Sequence, residues 1–310
     1  WLYLDMVEQL DYYFIKGDSL DEIIAGYRLL TGKAVMLPKW SFGYVQSKEA
    51  YLTQQEMEET AEKYRSLDIP LDCLVQDWNT WEAGKWGNKR VDKKRYPDLA
   101  AMNRKLHDMH IHTMVSVWPN MNAGTEDYEE MKEAGQLLND YATYDAFSEK
   151  GREIYWKQAE RELFSGGFDS WWCDSTEPFS GPDWNGEFKR EPWERFRLVG
   201  DEHRKFLGAG RANLYAAAHA RGIYENQRKA APDKRVLNLT RSGYASSQKY
   251  GTVLWSGDIF ASWDTMKKQI HEGLNMCMSG MPYWTLDIGG FFTVNENWRH
   301  RGCFCNEDPT

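Results

Sequence analysis

The chain has 310 residues, a formal net charge of −9, and 42% hydrophobic and 27% charged residues. This balance is typical of a folded globular protein, and barrels of alternating strands and helices reach this length as one domain. Because the chain is acidic and has no long run of Lys and Arg, nucleic acid is excluded as an expected partner. No apolar run is long enough to span a bilayer, so no membrane partner is expected either.

Cysteine usage favours a reducing compartment. Five cysteines are present, at Cys73, Cys173, Cys277, Cys303 and Cys305. Three of the five fall in apolar segments where buried thiols are common, so a disulfide framework is not expected and a cytoplasmic location is favoured. His300, Cys303 and Cys305 are close enough in sequence to suggest a metal site, but no fourth ligand is evident. We therefore predict no metal.

The first element in chain order is a predicted helix. An aromatic-rich segment over 1–16 precedes Ser19 and Glu22, which match a capping box that opens a helix ending at Gly32. After Pro38, short apolar runs alternate with polar stretches at helical period. This alternation predicts parallel strands joined by crossover helices. The predicted strands begin near Trp40, Leu71, His112, Phe168, Arg235, Thr252 and Met281.

These strands supply about seven of the eight that a closed (β/α)8 barrel needs. Thr53 and Asp98 are predicted to cap helices, and a further helix is predicted over Trp263–Met278, ending at Gly280. The interval between the strands at Arg235 and Thr252 is too short for a full helix. Residues 120–146 and 179–201 are rich in Gly, Pro, Asn and aromatic residues and are predicted loops at one mouth of the barrel.

Polar and aromatic residues follow nearly every predicted strand. The set comprises Asp77, Trp78, Trp118, Trp172, Asp174, Arg241, Trp255, Asp258 and Asp287. A single strand-end Asp is more often a helix N-cap than a functional group. Several at corresponding ends of parallel strands converge on one face, where barrel active sites lie. The pattern predicts a polar pocket.

Paired carboxylates in such a pocket suffice for glycoside hydrolysis, in which one attacks the anomeric carbon and the other donates and recovers a proton. We expect Arg241 to lower the pKa of a nucleophilic Asp174, and desolvation near Trp255 to raise the pKa of an acidic Asp258. The tryptophans either stack on a sugar ring or fill the barrel, and composition does not choose between these. The spacing of the carboxylates does not form the oxygen cage of a divalent cation.

Two segments resemble the catalytic motifs of glycoside hydrolase family 31. Trp171-Trp172-Cys173-Asp174-Ser175-Thr176-Glu177-Pro178 resembles the nucleophile segment, and Trp255-Ser256-Gly257-Asp258 resembles the acid/base segment. Arg241 precedes the second segment at the spacing usual in the family. The segment from Met281 to Phe291 resembles the following strand, whose Asp287 and Phe291 would line the sugar subsite, and Asp77 resembles the carboxylate that holds hydroxyls of the terminal sugar.

The resemblance covers the whole chain and implies a TIM barrel that acts as a retaining, exo-acting α-glycosidase without a cofactor. Asp174 would be the nucleophile and Asp258 the general acid/base. The substrate would be an oligosaccharide or glycoside with a terminal α-linked sugar, and the fold is compatible with a homo-oligomer. The resemblance further implies that 1–34 is the tail of an N-terminal β-sandwich with a linker helix. Residues 35–310 would then be the barrel without its last strand and helix.

Substrate choice rests on Trp78, which would crowd the space of a glucose hydroxymethyl group, so α-xyloside is weighted slightly above α-glucoside. Lys85, Lys89 and Arg90 leave open a sulfosugar substrate. A transglycosylase and a non-catalytic sugar-binding fragment are further alternatives. The sequence departs from the family pattern at Ile259, where Asn is usual, and at Ser175 and Thr176, where Met and Asn are common.

Overall fold

A computed structural model of the chain describes residues 9–48, 50–179, 191–208 and 210–291. Its centre is a seven-stranded parallel sheet in which each strand pairs with the next one along the chain. The strands are β1 Val45–Gln46, β2 Cys73–Gln76, β3 His112–Val117, β4 Ser170–Cys173, β5 Asn238–Thr240, β6 Thr252–Trp255 and β7 Trp284–Thr285. Sequential parallel order is the topology of a (β/α)8 barrel, here with seven of its strands.

The described ranges contain eight α-helices. They are α1 Leu20–Thr31, α2 Gln54–Ser66, α3 Leu99–Asp108, α4 Glu126–Glu133, α5 Glu149–Ala159, α6 Pro192–Leu207, α7 Tyr215–Ala230 and α8 Trp263–Met278. Of these, α2, α3, α7 and α8 contact the strands directly. The predicted caps form: Thr53 Oγ1 accepts from Glu56 N, and an Asp98 carboxylate oxygen accepts from Ala101 N. A 3₁₀ turn at Ser247–Tyr250 is the regular element between β5 and β6, as the short interval predicted. Within the described ranges, no helix is long and apolar enough to cross a bilayer.

Two apolar clusters lie on the two faces of the sheet. Between sheet and helices, the larger cluster contains Met57, Leu106, Trp171 and Ile223, each at most 1% exposed. Inside the curve of the sheet, the smaller cluster contains Cys73, Met114, Leu239 and Trp255. Strands buried on both faces read as continuous apolar runs, which is why they were visible in the sequence.

Three predicted elements differ from the structure. Lys39–Phe42 forms a 3₁₀ turn after Pro38, so β1 begins at Val45 rather than near Trp40. The predicted loop over 120–146 contains α4. The N-terminus of this helix is capped by Thr125, whose Oγ1 accepts a hydrogen bond from Tyr128 N. The predicted loop over 179–201 contains the start of α6, which opens with Pro192 at a position where the missing N–H has no helical partner to lose.

The first segment of the chain is described from residue 9. Helix α1 is capped by Ser19 and ends at Gly32, as predicted. Its end is held against the turn before β6, because Gln248 Nε2 donates to Gly32 O at 2.9 Å. The division into a sandwich tail over 1–34 and a barrel over 35–310 stays a prediction.

Candidate active site

The carboxyl ends of the strands converge on one cavity of about 940 Å³. Parallel pairing brings them to one face, since all the strands run in the same direction. All ten predicted site residues line this cavity: Asp77, Trp78, Trp118, Trp172, Asp174, Arg241, Trp255, Asp258, Asp287 and Phe291. Their chemical roles stay predictions.

Arg241 lies among three carboxylates. Its Nη1 is 3.3 Å from Asp174 Oδ1 and 3.2 Å from Asp258 Oδ2, and its Nη2 is 2.5 Å from Glu177 Oε1. The Arg241 side chain is 13% exposed. A rigid guanidinium with several donors can hold acceptors on different strands in a fixed relation. The two predicted catalytic carboxylates therefore share one nitrogen.

Backbone hydrogen bonds and a turn position the Asp174 carboxylate near Arg241. Asp174 N donates to Val117 O at 3.1 Å, which extends the pairing of β3 and β4 past the last strand residue. Ser175 follows at φ 50°, in the left-handed region that costs strain for a residue with a Cβ. Its N–H donates to Asp174 Oδ1 at 2.6 Å. This turn lets Asp174 and Glu177, three positions apart in sequence, both contact Arg241.

Burial dominates the protonation of the two predicted catalytic carboxyls. Burial raises the pKa of Asp174 to about 6, with Arg241 lowering it and the charges of Asp258 and Glu177 raising it. The expected effect of Arg241 is present, but the net shift is upward because desolvation is larger. Burial also raises the pKa of Asp258, with Arg241 opposing and Glu177 adding to the shift. The direction for Asp258 is the one expected from desolvation.

Two further carboxyls complete an acidic cavity. Burial and the charge of Asp174 hold the pKa of Asp77 well above its usual range, although Asp77 Oδ1 accepts from Trp78 N at 2.7 Å. Burial, then Asp258 and Asp174, raise the pKa of Asp287 to about 7. Four crowded carboxyls with raised pKa values form a site suited to proton transfer and to binding hydroxyl groups.

Tryptophans form two sides of the cavity. Trp86 lies between Trp78 and Trp118, with ring centroids 5.2 and 4.6 Å away. Trp172 and Trp255, at the ends of β4 and β6, have centroids 4.9 Å apart. Both are buried and belong to the inner apolar cluster, so they fill the barrel as well as line the cavity. Trp78 and Trp118 are partly exposed and offer ring surface to a ligand.

The sequence did not predict that Trp86 lines the cavity or that Glu177 contacts Arg241. Glu177 belongs to the segment that contains Asp174, but the pattern assigns it no role. Trp86 lies in the long loop after β2, where no periodic pattern exists. Its Gly-rich neighbourhood was the available signal: Gly87 has φ 75°, and a Cβ there would lie 1.9 Å from Asn120 O.

The basic residues that suggested a sulfosugar substrate lie outside the cavity lining. Lys85 pairs with Glu82 and Glu126, and Lys89 is buried above the Tyr155 ring, with Nζ 4.1 Å from its centroid. Neither they nor Arg90 line the cavity, whereas Lys48 does and pairs with Glu56 at 2.7 Å. The set His300, Cys303 and Cys305 lies outside the described residues. Of the cavity carboxyls, Asp174 and Asp258 contact Arg241.

A parallel β/α barrel with paired carboxylates and tryptophans at its strand ends falls, by fold and site, in the class of barrel glycoside hydrolases. The profile of the glycosyl hydrolase family 31 TIM-barrel domain matches residues 34–305. The chain belongs to glycosyl hydrolase family 31.

Relatives of known structure or name agree with this assignment. The chain is 36% identical over 288 residues to an α-xylosidase of Saccharolobus solfataricus, a match that covers 93% of this chain and 38% of that protein. The crystal structure of a family 31 α-xylosidase from Xanthomonas citri has a TM-score of 0.79 at 38% identity, covering 91% of this chain and 31% of the other. For an α-xylosidase from a soil metagenome, complexed with xylose, the TM-score is 0.76 at 32% identity, and coverage is 89% and 40%. The chain thus spans well under half the length of these relatives.

Proposed function

We propose that this barrel domain catalyses retaining hydrolysis of a terminal α-linked sugar, with Asp174 as nucleophile and Asp258 as general acid/base. The observation that carries the proposal is the shared contact with Arg241. Because Asp174 Oδ1 and Asp258 Oδ2 touch one nitrogen, they are at most about 6.5 Å apart, which includes the roughly 5 to 5.5 Å spacing of retaining enzymes. Inverting enzymes space their carboxyls more widely, at about 6.5 to 9.5 Å, to admit a water.

The two carboxyls are suited to different steps. With a pKa of about 6, Asp174 is largely ionised at neutral pH and can attack the anomeric carbon, forming a glycosyl ester. Burial also raises the pKa of Asp258, which is the direction needed by a carboxyl that donates its proton to the departing oxygen. After the aglycone leaves, the ionised Asp258 accepts a proton from water, which attacks the ester and releases Asp174.

We propose an α-xyloside as the preferred substrate. Trp78 lies beside Asp77 and packs against Trp86, which narrows the cavity next to the carboxylate proposed to hold the sugar hydroxyls. A pyranose without a hydroxymethyl group fits a narrow site better than glucose. The α-xylosidase names of the relatives support this choice. The cations that suggested a sulfosugar lie outside the cavity lining.

The test compares aryl α-D-xyloside with aryl α-D-glucoside, using the full-length protein that contains this barrel. The first-formed sugar is followed by NMR, and release of the α-anomer is expected because a double displacement retains configuration. Asp174→Asn should abolish release, whereas the exposed Asp233→Asn, a matched change of the same residue type, should not. First release of the β-anomer, or activity that survives Asp174→Asn, contradicts the proposed mechanism. Faster hydrolysis of glucoside contradicts only the substrate.

A further inference from the structure

Three potential metal ligands meet at the end of the barrel opposite the cavity. His107 is in the last turn of α3, His112 is the first residue of β3, and Asp169 directly precedes β4. His112 and Asp169 are therefore at the amino ends of parallel strands and His107 is on the helix that precedes β3, whereas the proposed catalytic residues are at the carboxyl ends. We call them the His107–His112–Asp169 cluster.

The cluster has nearly the dimensions of a metal site. Asp169 Oδ2 lies 2.7 Å from His107 Nε2 and 3.2 Å from His112 Nδ1. One ligand atom from each residue lies within 4.8 Å of the other two. In a tetrahedral zinc site with bonds near 2.0 to 2.2 Å, ligand atoms are about 3.3 Å apart. The distance from Asp169 Oδ2 to His112 Nδ1 is already close to that separation, and the distance from Asp169 Oδ2 to His107 Nε2 is about 0.6 Å shorter.

The hydrogen bonding of the cluster is incomplete. Asp169 Oδ2 accepts from Thr113 N at 3.0 Å and is also faced by both imidazoles. His112 Nδ1 is secluded from solvent, and within the described part of the chain it makes no satisfactory hydrogen bond. A buried ring nitrogen without a partner is costly unless something else binds it. A metal ion between the three residues would use this nitrogen.

Neighbouring residues fix the orientation of the ligands. The His112 ring stacks on Trp40, with centroids 4.6 Å apart and planes at 16°. The backbone N–H of His112 donates to Asp72 O at 2.8 Å, which fixes the main chain there, and the backbone N–H of Thr113 holds the Asp169 carboxylate. Metal-binding imidazoles and carboxylates are commonly held by such surrounding contacts. The donors are therefore oriented before any ion binds.

We propose that the His107–His112–Asp169 cluster binds one zinc ion, with solvent as the fourth ligand. His107 Nε2, His112 Nδ1 and Asp169 Oδ2 are the three protein ligands. Two imidazoles and one carboxylate suit zinc rather than calcium or magnesium, which prefer all-oxygen sites. The histidine side chains are 35% and 39% exposed, so the cluster lies at the protein surface, although His112 Nδ1 itself is secluded from solvent. The ion would fasten the end of α3 to the starts of β3 and β4, a structural role away from the sugar cavity.

The test measures zinc and cobalt binding by the full-length protein after treatment with a chelator. Titration calorimetry should give one zinc equivalent with micromolar or tighter affinity. Cobalt should give the visible absorption bands of a four-coordinate ion. The double variant His107→Gln/His112→Gln should lose at least tenfold in zinc affinity and lose the cobalt bands. The control His271→Gln removes an exposed histidine on α8 and should leave both readouts unchanged.

Two results overturn the proposal. If the wild-type protein binds no stoichiometric zinc and shows no cobalt bands, the cluster is a set of hydrogen-bonded side chains that binds no metal. Equal zinc affinity in wild type and double variant places the ion elsewhere. Circular dichroism of each variant checks that it is folded. Asp169→Asn, which keeps the shape of the side chain, provides a second variant expected to weaken zinc binding if the double variant unfolds.

Discussion

Arg241 Nη2 lies 2.5 Å from Glu177 Oε1, so the guanidinium that contacts both proposed catalytic carboxyls is held on its other side by a third acid. The Arg241 guanidinium therefore interacts with three carboxylates at once. Its Nη1 contacts Asp174 and Asp258, while its Nη2 contacts Glu177. The Glu177 charge also raises the pKa of Asp258 and of Asp174. Glu177 therefore sets both the position and the proton affinity of its neighbours.

Glu177→Gln should move the pH–rate profile toward lower pH. Removing the negative charge lowers the pKa of Asp258 and of Asp174, and leaves more of the Arg241 charge for both. Since Asp258 must be protonated to donate, the alkaline limb of kcat/KM should fall at lower pH, and the acidic limb should shift in the same direction. Profiles of wild type and variant on one alkyl xyloside, whose leaving group needs the Asp258 proton, check this. The exposed Glu153→Gln is the matched control, and a profile that moves upward or stays in place argues against the charge effect.

Arg241→Met should shift the acidic limb of kcat/KM to higher pH and reduce the rate at neutral pH by at least about tenfold. Arg241 lowers the pKa of Asp174, so its removal raises that pKa further above about 6 and protonates the nucleophile near neutral pH. Stability should also fall, because breaking a buried ion pair costs about 3 to 5 kcal/mol. Denaturant unfolding at pH 7 measures that loss. Arg241→Lys keeps the positive charge and should shift the acidic limb less. If the acidic limb does not move in Arg241→Met, Arg241 does not lower the pKa of the nucleophile.

The positions of the acidic residues could be predicted because the strands are parallel. Each buried strand is a short apolar run, so its end is marked in sequence by the first charged residue. Asp77, Asp174, Asp258 and Asp287 are such residues, and parallel topology brings them together whatever the loops do. That reasoning needs no knowledge of loop conformation.

The positions of Glu177 and Trp86 depend on loop conformation. Glu177 reaches Arg241 through the turn at Ser175, whose positive φ is not encoded by a glycine. Trp86 is placed by contacts distant in sequence, such as Asn122 N donating to Trp86 O at 2.9 Å. The net pKa of Asp174 was not predictable either, because the balance of burial against Arg241 depends on how deeply the cavity is enclosed. None of these three features is a local property of the sequence.

Asp258→Asn should affect substrates according to their leaving groups. A nitrophenolate leaves without protonation, so aryl xyloside should lose less than about tenfold in the glycosylation step, whereas an alkyl xyloside should lose about 10²- to 10⁴-fold. Single-turnover release of the two aglycones separates this step from hydrolysis of the intermediate. Asp264→Asn, an exposed change near the start of α8, should leave both substrates unaffected. Equal losses on the two substrates would remove Asp258 from the acid role.

Trp78→Ala should raise the ratio of glucoside to xyloside kcat/KM by about tenfold or more, the usual scale for opening space for one small group in an apolar pocket. The Trp78 ring lies 5.2 Å from that of Trp86, and its N–H holds Asp77 Oδ1 through the backbone, which the substitution leaves in place. The variant therefore removes bulk while retaining the contact to Asp77. Xyloside hydrolysis should decline through lost stacking, so the ratio is the informative measurement. Trp263→Ala removes a ring that is 89% exposed on α8 and should leave the ratio unchanged. A Trp78→Ala ratio equal to that of wild type would mean that the xyloside preference comes from another wall of the cavity.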